Sequence, residues 1–369
     1  MTLPRPRAAV AAIPRYVAGR PPLDREGITS YKLSSNENPY PPLPEVVDAI
    51  ARAAAECNRY PDMGSAALLD ALSIARGVPV DRLAVGTGSS ALIYGLLCAF
   101  CAPGDEVVYP WRSFEAYPIA VAAAGATAVP VANLPDGRHD VDGLIDALSP
   151  ATRAVILCSP NNPTGPVLTQ VELARLLGAV PPDVLVLLDE AYAEFVRRPD
   201  AAHGIAAQAD HPNLVALRTF SKAHGLAGLR VGYAVGTPDV VAAARGVLLP
   251  FGVSGVAEAA AVAALKAEDQ LLEQVEALVA ERERVVAEVR SLGWGVPEAE
   301  GNFWWLPLSG AVLEEFVDAA DGVGVSVRPL GGEGVRISVG EPEANDRVIE
   351  VLRGRIEHVS SDRGPRSRD

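Results

Sequence analysis

From about residue 66 to residue 235 the chain alternates helical stretches with short, unbroken apolar runs. That alternation narrows the fold more than any other feature. The run Val184-Leu185-Val186-Leu187-Leu188 is representative, because it has no polar face. A strand that is apolar on both sides belongs in a sheet covered on both sides, as in a parallel α/β sheet. Strands are expected at Leu83 to Gly86, Asp105 to Pro110, Ala126 to Ala132, Ala154 to Ser159, Val184 to Asp189, Leu214 to Leu217 and Leu229 to Val235. Helices are expected at 66–75, Ser90 to Ala102, 113–124, 141–148, Thr169 to Leu177 and near 200–209. The fold class that follows is α/β: a mostly parallel, seven-stranded sheet flanked by helices. Sheets of this kind bind ligands in the loops past their strand ends.

The flanks read differently. Residues 1–40 are rich in proline, which suits an extended N-terminal arm and not a core helix. A helix with proline at its start is expected from Pro44 to Ala55, opening a large domain over 41–252. Pro250-Phe251-Gly252-Val253-Ser254 interrupts the pattern. A second, smaller α+β domain is expected over 253–359, and the arm is expected to pack with it. That domain should hold a long helix from Gly255 to Leu292, short strands at Phe303 to Leu308, Val325 to Pro329 and Val335 to Val339, and a last helix at 343–357. The polar tail 360–369 is expected to be disordered.

Composition excludes several classes of function. With a formal charge of -14, the 369-residue chain is a poor non-specific nucleic-acid binder. No stretch approaches the eighteen or so apolar residues of a membrane span, and Ala8 to Ile13 is too short for a signal peptide, so the cytoplasm is the expected compartment. Cys98 and Cys101 form a C-x-x-C near the end of an apolar helix, where a thiolate gains no dipole support; a redox or metal role and a packing role both fit the spacing. The five histidines show no metal-ligand spacing, and no metal site is expected.

Four strand-end loops carry polar chemistry. Gly86-Thr87-Gly88-Ser89-Ser90 joins a strand to a helix; it reads as an anion site at a helix N-terminus or as a plain turn. Cys158-Ser159-Pro160-Asn161-Asn162-Pro163-Thr164-Gly165 ends another strand, as a turn or as a source of asparagine donors to a ring substituent. Asp189-Glu190-Ala191-Tyr192 ends the most apolar strand; the aspartate there needs a partner, either a helix N-terminus or a cation such as a protonated ring nitrogen. Trp111-Arg112-Ser113-Phe114 offers aromatics for stacking or for the core.

A fifth segment, Leu217 to Arg230, places Thr219, Ser221, Lys222 and Arg230 together. Hydroxyls and a guanidinium suit a phosphate, and a lysine among them is a phosphate clamp, a Schiff-base amine or an exposed loop residue. A flat, phosphorylated, cationic ring joined to lysine would use all five loops. Pyridoxal phosphate is such a ligand.

These segments resemble the fold-type-I pyridoxal-phosphate aminotransferases, in the group of the histidinol-phosphate and aromatic (phenylalanine) enzymes. The resemblance rests on Ser34 to Tyr40, Asn58-Arg59-Tyr60-Pro61, Gly86 to Ser89, Asn161 to Gly165, Asp189 to Tyr192, Arg218 to Arg230, Gly301-Asn302-Phe303 and Val335 to Gly340, in the family's order. It implies that Lys222 holds the cofactor as a Schiff base and, once freed, moves the substrate proton. Asp189 would keep the ring nitrogen protonated. Asn161 and Tyr192 would bond the ring's phenolic oxygen. Thr87, Gly88, Ser89, Thr219, Ser221 and Arg230 would hold the phosphate, with Phe114 against the ring. Tyr60 would reach the cofactor phosphate of a neighbouring subunit, which implies a homodimer. Arg336 would grip the substrate α-carboxylate, with Asn302, Asn36 and Arg328 completing the substrate site.

Three departures bear on substrate. Ser90 and Ala91 stand where family members commonly carry acidic residues, and His224 stands where Phe or Tyr is usual. The segment Tyr109 to Pro118 looks closer to bacterial phenylalanine aminotransferases. The expected reaction moves an amino group from an aromatic amino acid, the small-molecule donor, to 2-oxoglutarate, the 2-oxo acid acceptor. Histidinol phosphate as donor is the alternative, with Arg328 serving either its phosphate or the side-chain carboxylate of glutamate. Threonine-phosphate decarboxylase and a non-catalytic ligand-sensing domain are further readings of the same resemblance.

Overall fold

The computed structural model describes residues 3–11, 13, 16–23 and 25–361. Residues 362–369 of the expected tail lie outside the described residues, while 360 and 361 end the last helix, Pro342–Ser361. Twelve strands are present among the described residues. They are β1 (Tyr31–Lys32), β2 (Leu83–Gly86), β3 (Glu106–Trp111), β4 (Thr127–Ala132), β5 (Thr152–Cys158), β6 (Leu185–Asp189), β7 (Leu214–Thr219), β8 (Gly232–Val235), β9 (Phe303–Leu306), β10 (Val325–Ser326), β11 (Arg328–Leu330) and β12 (Gly334–Ser338).

Seven of these form one sheet in the order β2-β8-β7-β6-β5-β3-β4. Only β8 runs against its neighbours; the other pairs are parallel. The exception follows from its connection. The chain returns from β7 through a loop with a single 3₁₀ turn, Ala227–Leu229, and a parallel return would need a helical crossover. Every residue of β6, β7 and β8 is buried, as their apolar runs require, and the burial extends to Asp189, Arg218 and Thr219 at the strand ends. Pro130 sits in β4, the edge strand, where a missing N–H costs little. Pro110 falls beyond the last β3–β5 pair, Val108 with Val155, so it breaks no bond on that side.

The C-terminal ends of the parallel strands bring Trp111, Cys158, Asp189 and Thr219 to one edge of the sheet, with Cys158 paired to Asp189 and Asp189 to Leu217. Helix Gly88–Phe100 starts at the same edge, and β8 starts against its first turn. Gly232 is required there: a Cβ would sit 2.5 Å from the Ser89 nitrogen.

A second body holds an antiparallel sheet, β11-β12-β9, and helices Glu268–Ser291, Gly310–Gly322 and Pro342–Ser361. Its core is built on Phe303, Trp304, Phe316 and Val275. β1 of the arm pairs in parallel with β10, and Arg20 of the arm meets Asp321. Arg7 reaches the other way, to the carbonyl of Ala123 beside the large sheet.

Several features differ from the sequence reading. The single strand expected from Val325 to Pro329 is divided into β10, which pairs with β1, and β11, which pairs with β12. The long helix expected from Gly255 to Leu292 is broken at Ala267 into Gly255–Lys266 and Glu268–Ser291. The first piece packs with Pro44–Ala54 and Ala66–Arg76 on the core that holds Ala216 and Tyr233, so it belongs with the seven-stranded sheet. The chain changes cores between Leu271 and Val275, later than the composition change at 252/253. Arg230 also lies outside the strand expected from Leu229, in a left-handed conformation with φ 56°.

Gly232→Ala is expected to lower stability by about 1–3 kcal/mol through the forced separation of β8 from the helix start. Urea denaturation measures it, and an unchanged midpoint would show that this contact can relax.

Candidate active site

A cavity opens at the C-terminal edge of the seven-stranded sheet, between it and the sheet β11-β12-β9. Lys222 stands in it, three residues past β7. Its Nζ donates to the carbonyls of Ser35 and Asn36, both at 3.2 Å, and lies 5.8 Å from the centre of the Tyr192 ring. Burial, with Arg336 adding repulsion, pulls its pKa down from 10.5 to about 7. The chain has only three lysines, and this one is poised to be a neutral nucleophile at ordinary pH.

Asp189 ends β6 inside the same cavity and is 4% exposed. Its Oδ2 accepts from the Tyr117 hydroxyl at 2.9 Å, while Oδ1 has no partner. Burial raises its pKa from 3.8 to about 6, against the hydrogen bond of Tyr117. A buried carboxylate with one bare oxygen is costly, and a cationic N–H donor would relieve that cost. Sequence reading missed Tyr117. Its signal is position: it lies in the first turn of helix Ala116–Ala124, three residues after Phe114, and packs edge-on to that ring at 5.6 Å.

The asparagine assignment needs correction. Asn161 is buried with its amide fully used: Oδ1 accepts from Ser113 Oγ at 2.7 Å, and Nδ2 donates to the Arg112 carbonyl and to Thr164 Oγ1. It holds the turn together and does not line the cavity. Asn162 does, and its Oδ1 accepts from Arg336 Nη1 at 2.7 Å. Across the cavity, the Tyr192 hydroxyl accepts from Asn36 Nδ2 at 3.1 Å, and burial pushes its pKa up.

One end of the cavity is a cup of donors: Ser89, Ser90, Thr219, Ser221 and Arg230. Thr219 Oγ1 donates to Ser221 Oγ at 3.0 Å, and Arg230 Nη1 donates to the same oxygen at 3.2 Å. Gly88 leaves the room Arg230 needs, since a Cβ there would stand 2.5 Å from Nη2. Ser90, noted in the sequence for lacking a charge, is part of the cup. Thr87 lines the neighbouring groove with Phe251 and not the cavity. Phe114 forms part of the cavity wall.

At the other end, Arg336 is half-buried and also donates to the Ser34 carbonyl at 2.8 Å, leaving its buried Nε unpartnered. Burial depresses its pKa. Arg328 lines the cavity but is engaged: it pairs with Glu115 at 2.6 Å and donates to the carbonyls of Val17 and Ala18. Asn302 lies behind the wall, its Nδ2 on the Asn36 carbonyl at 3.1 Å, so it reaches the site through Asn36. Asn36 is a hub: it bonds Ser338, Tyr192 and Asn302. Tyr60 is exposed outside the cavity and stacks on Phe251 at 4.9 Å. His224 is buried against Phe220 and Glu268, away from the cavity.

Pyridoxal phosphate fits these residues. The cup suits a phosphate, the bare Asp189 oxygen suits a protonated ring nitrogen, Tyr192 and Asn162 flank the space between, and the Lys222 amine suits the aldehyde.

A family model described as Aminotransferase class I and II matches residues 29–352. The chain is 53% identical over 350 residues to a Streptomyces avermitilis protein named aromatic amino acid aminotransferase, covering 95% of this chain and 97% of the relative. A Thermobifida fusca protein of the same name is 50% identical over 347 residues, covering 94% and 96%. Among solved structures, the histidinol-phosphate aminotransferase from Sinorhizobium meliloti, in complex with pyridoxal-5'-phosphate, matches with a TM-score of 0.85 at 27% identity, covering 97% of this chain and 99% of that one.

Two outcomes are expected. In the cofactor-free protein, acylation of Lys222 by a small activated ester should rise about tenfold per unit as pH climbs toward 7 and level off above it, because only the neutral amine reacts. Peptide mapping separates it from Lys32 and Lys266; a rate still climbing at pH 9 would refute the lowered pKa. Asp189→Asn should leave the cofactor-free protein at least as stable at pH 7. The native carboxylate has its pKa raised from 3.8 to about 6, so its burial costs stability progressively as pH rises between those values and in full above them, and the amide removes that cost. Cofactor affinity should fall in the same variant. A lower melting temperature without cofactor, or unchanged cofactor affinity, would contradict the assignment.

Proposed function

The chain belongs to the class I and II aminotransferases, pyridoxal-phosphate-dependent transaminases, and on that footing we propose that it moves an amino group between an aromatic amino acid, phenylalanine or tyrosine, and 2-oxoglutarate. The observation that carries the choice of donor is the charge balance at the substrate end. While the donor is bound, Arg328 keeps its carboxylate partner Glu115, which leaves Arg336 as the guanidinium that receives the donor's anion. One guanidinium matches one α-carboxylate. Histidinol phosphate, the alternative donor, would bring a dianion to the same place. The names of the relatives in Streptomyces avermitilis and Thermobifida fusca support the aromatic reading.

Bound in this cavity, pyridoxal phosphate supplies an aldehyde for the amino group and an electron-poor ring that accepts charge from the substrate's Cα. The protein does the rest. Arg336, held by Asn162 and Ser34, fixes the α-carboxylate and so points the Cα–H bond toward Lys222. Lys222, with its lowered pKa, takes that proton and returns it. Asp189, oriented by Tyr117, would hold a proton on the ring nitrogen. Tyr192, Asn162 and Phe114, which line the cavity, would hold the ring.

The same reading assigns residues up to the start of helix Glu268–Ser291 to the large, cofactor-binding domain, apart from the arm. It makes the active species a homodimer. Tyr60 is 84% exposed beside a groove lined by Thr87, Leu249 and Phe251, a position suited to a partner's site and not to its own. No helix among the described residues is long and apolar enough to cross a membrane, and the cytoplasm is the proposed compartment.

A donor panel tests the substrate: kcat/KM for phenylalanine and tyrosine, with 2-oxoglutarate as acceptor, should exceed that for histidinol phosphate. A hundredfold preference for histidinol phosphate would reverse the proposal. Arg336→Gln should lower kcat/KM for phenylalanine by about 10- to 100-fold, the worth of a charged hydrogen-bond pair.

A further inference from the structure

A transaminase uses one cavity for two substrates in turn. If the donor is aromatic and the acceptor is 2-oxoglutarate, as proposed above, both must place an α-carboxylate at Arg336 and their reacting carbon at Lys222. Their side chains then point to the same space. That space must accept an uncharged ring in one half-reaction and a carboxylate in the other. A free guanidinium there would serve the acceptor and penalise the ring; a wholly apolar wall would do the reverse.

Arg328 occupies this region, with Tyr16, Leu330 and Glu115. It is the cross-strand partner of Arg336, so the two side chains leave the same face of the small sheet. Arg328 is buried and fixed, its guanidinium on the carbonyls of Val17 and Ala18. Glu115 is not fixed. Its side chain is 31% exposed, and Arg328 is its only hydrogen-bond partner among the described residues. A second arginine, Arg112, pairs with Glu333 and not with Glu115.

We propose that Glu115 is an exchangeable counter-ion: its carboxylate neutralises Arg328 while the aromatic substrate is bound, and gives way to the acceptor's distal carboxylate when that substrate enters. Arg328 need not move, because its two backbone acceptors hold it. Glu115 can turn to water at small cost, since a partly exposed pair is worth about 0.2–1 kcal/mol. The exchange replaces one Arg–carboxylate pair by another, so neither substrate has to bury an uncompensated charge. The specificity of the site then depends on Glu115 as much as on either arginine.

The test uses the holoenzyme and two inert ligands, glutarate and 3-phenylpropionate, which carry neither an amino nor an oxo group. Binding is read from the visible absorbance of the bound cofactor. Glu115→Gln keeps the shape and removes the charge, so glutarate no longer competes with a resident carboxylate. Glutarate should bind about two- to fivefold more tightly to the variant, and 3-phenylpropionate about two- to fivefold more weakly. Glu115→Ala should move both affinities the same way, and thermal melting confirms that each variant is folded. Glutarate affinity that is unchanged or weaker in both variants overturns the exchange. Failure of the aromatic reading shows itself elsewhere, as a wild-type holoenzyme that does not turn over phenylalanine.

Discussion

Burying one carboxylate at the end of an otherwise apolar strand sets the terms for the whole site. β6 can carry Asp189 only because the neighbouring strands wall it from water, and that wall makes its charge expensive. Tyr117 answers one oxygen and leaves the other bare. The same dry surroundings drive Lys222 the opposite way. An acid raised to about 6 and an amine lowered to about 7 come from one cause, burial, acting on groups of opposite charge. A cationic ring seated between them relieves the acid and consumes the amine. Divergence from ordinary pKa values is thus the mark of the site's function and not a defect of its packing.

Holding that arrangement is the task of groups outside the cavity wall. Asn36, in a left-handed conformation with φ 52°, bonds Ser338 of β12, Tyr192 beyond β6 and Asn302 before β9. One arm residue therefore ties together the two sheets that face each other across the cavity. Its neighbours finish the work: Ser35 with Asn36 holds the Lys222 amine, and Ser34 holds Arg336. Deeper in, Glu190 next to Asp189 is locked by Arg218 and by the Gly204 N–H, so the strand end cannot drift. Removing either member of that buried pair would strand the other charge.

The strands were legible because burial on both faces writes itself as unbroken Val, Leu, Ile and Ala, and the seven-stranded sheet follows from those runs. The order of the strands was not, since nothing local distinguishes β4 at the edge from β6 in the middle except Pro130. The break at Ala267 has no glycine or proline to announce it; packing of the two helix pieces on different cores decides it. Within the site, Lys222, Asp189, Tyr192, Ser89, Ser221, Arg230 and Arg336 all line the one cavity. Asn161 and Asn162 are the instructive failure. Two identical residues in one turn differ only in which way the backbone points them, and the turn is set by Ser113, Arg112 and Thr164 from elsewhere. Glu115 was invisible as a partner for Arg328 because it precedes helix Ala116–Ala124, while Arg328 lies in β11, far along the chain.

The choice of basic residues follows the same logic. Of the 32 basic side chains, 29 are arginine. Arginine keeps its charge when buried and grips carboxylate or phosphate in a fork, which suits Arg230, Arg328 and Arg336, groups that must stay cationic whatever the cavity contains. Lysine loses its charge readily on burial, and the one lysine placed among these arginines is the one whose task requires a neutral amine. A second lysine in place of Arg336 would be subject to the same depression and could arrive uncharged at the substrate carboxylate. The permanent charges and the removable one are thus separated by residue type. The lowered pKa of Lys222 therefore costs the site none of its grip on anions.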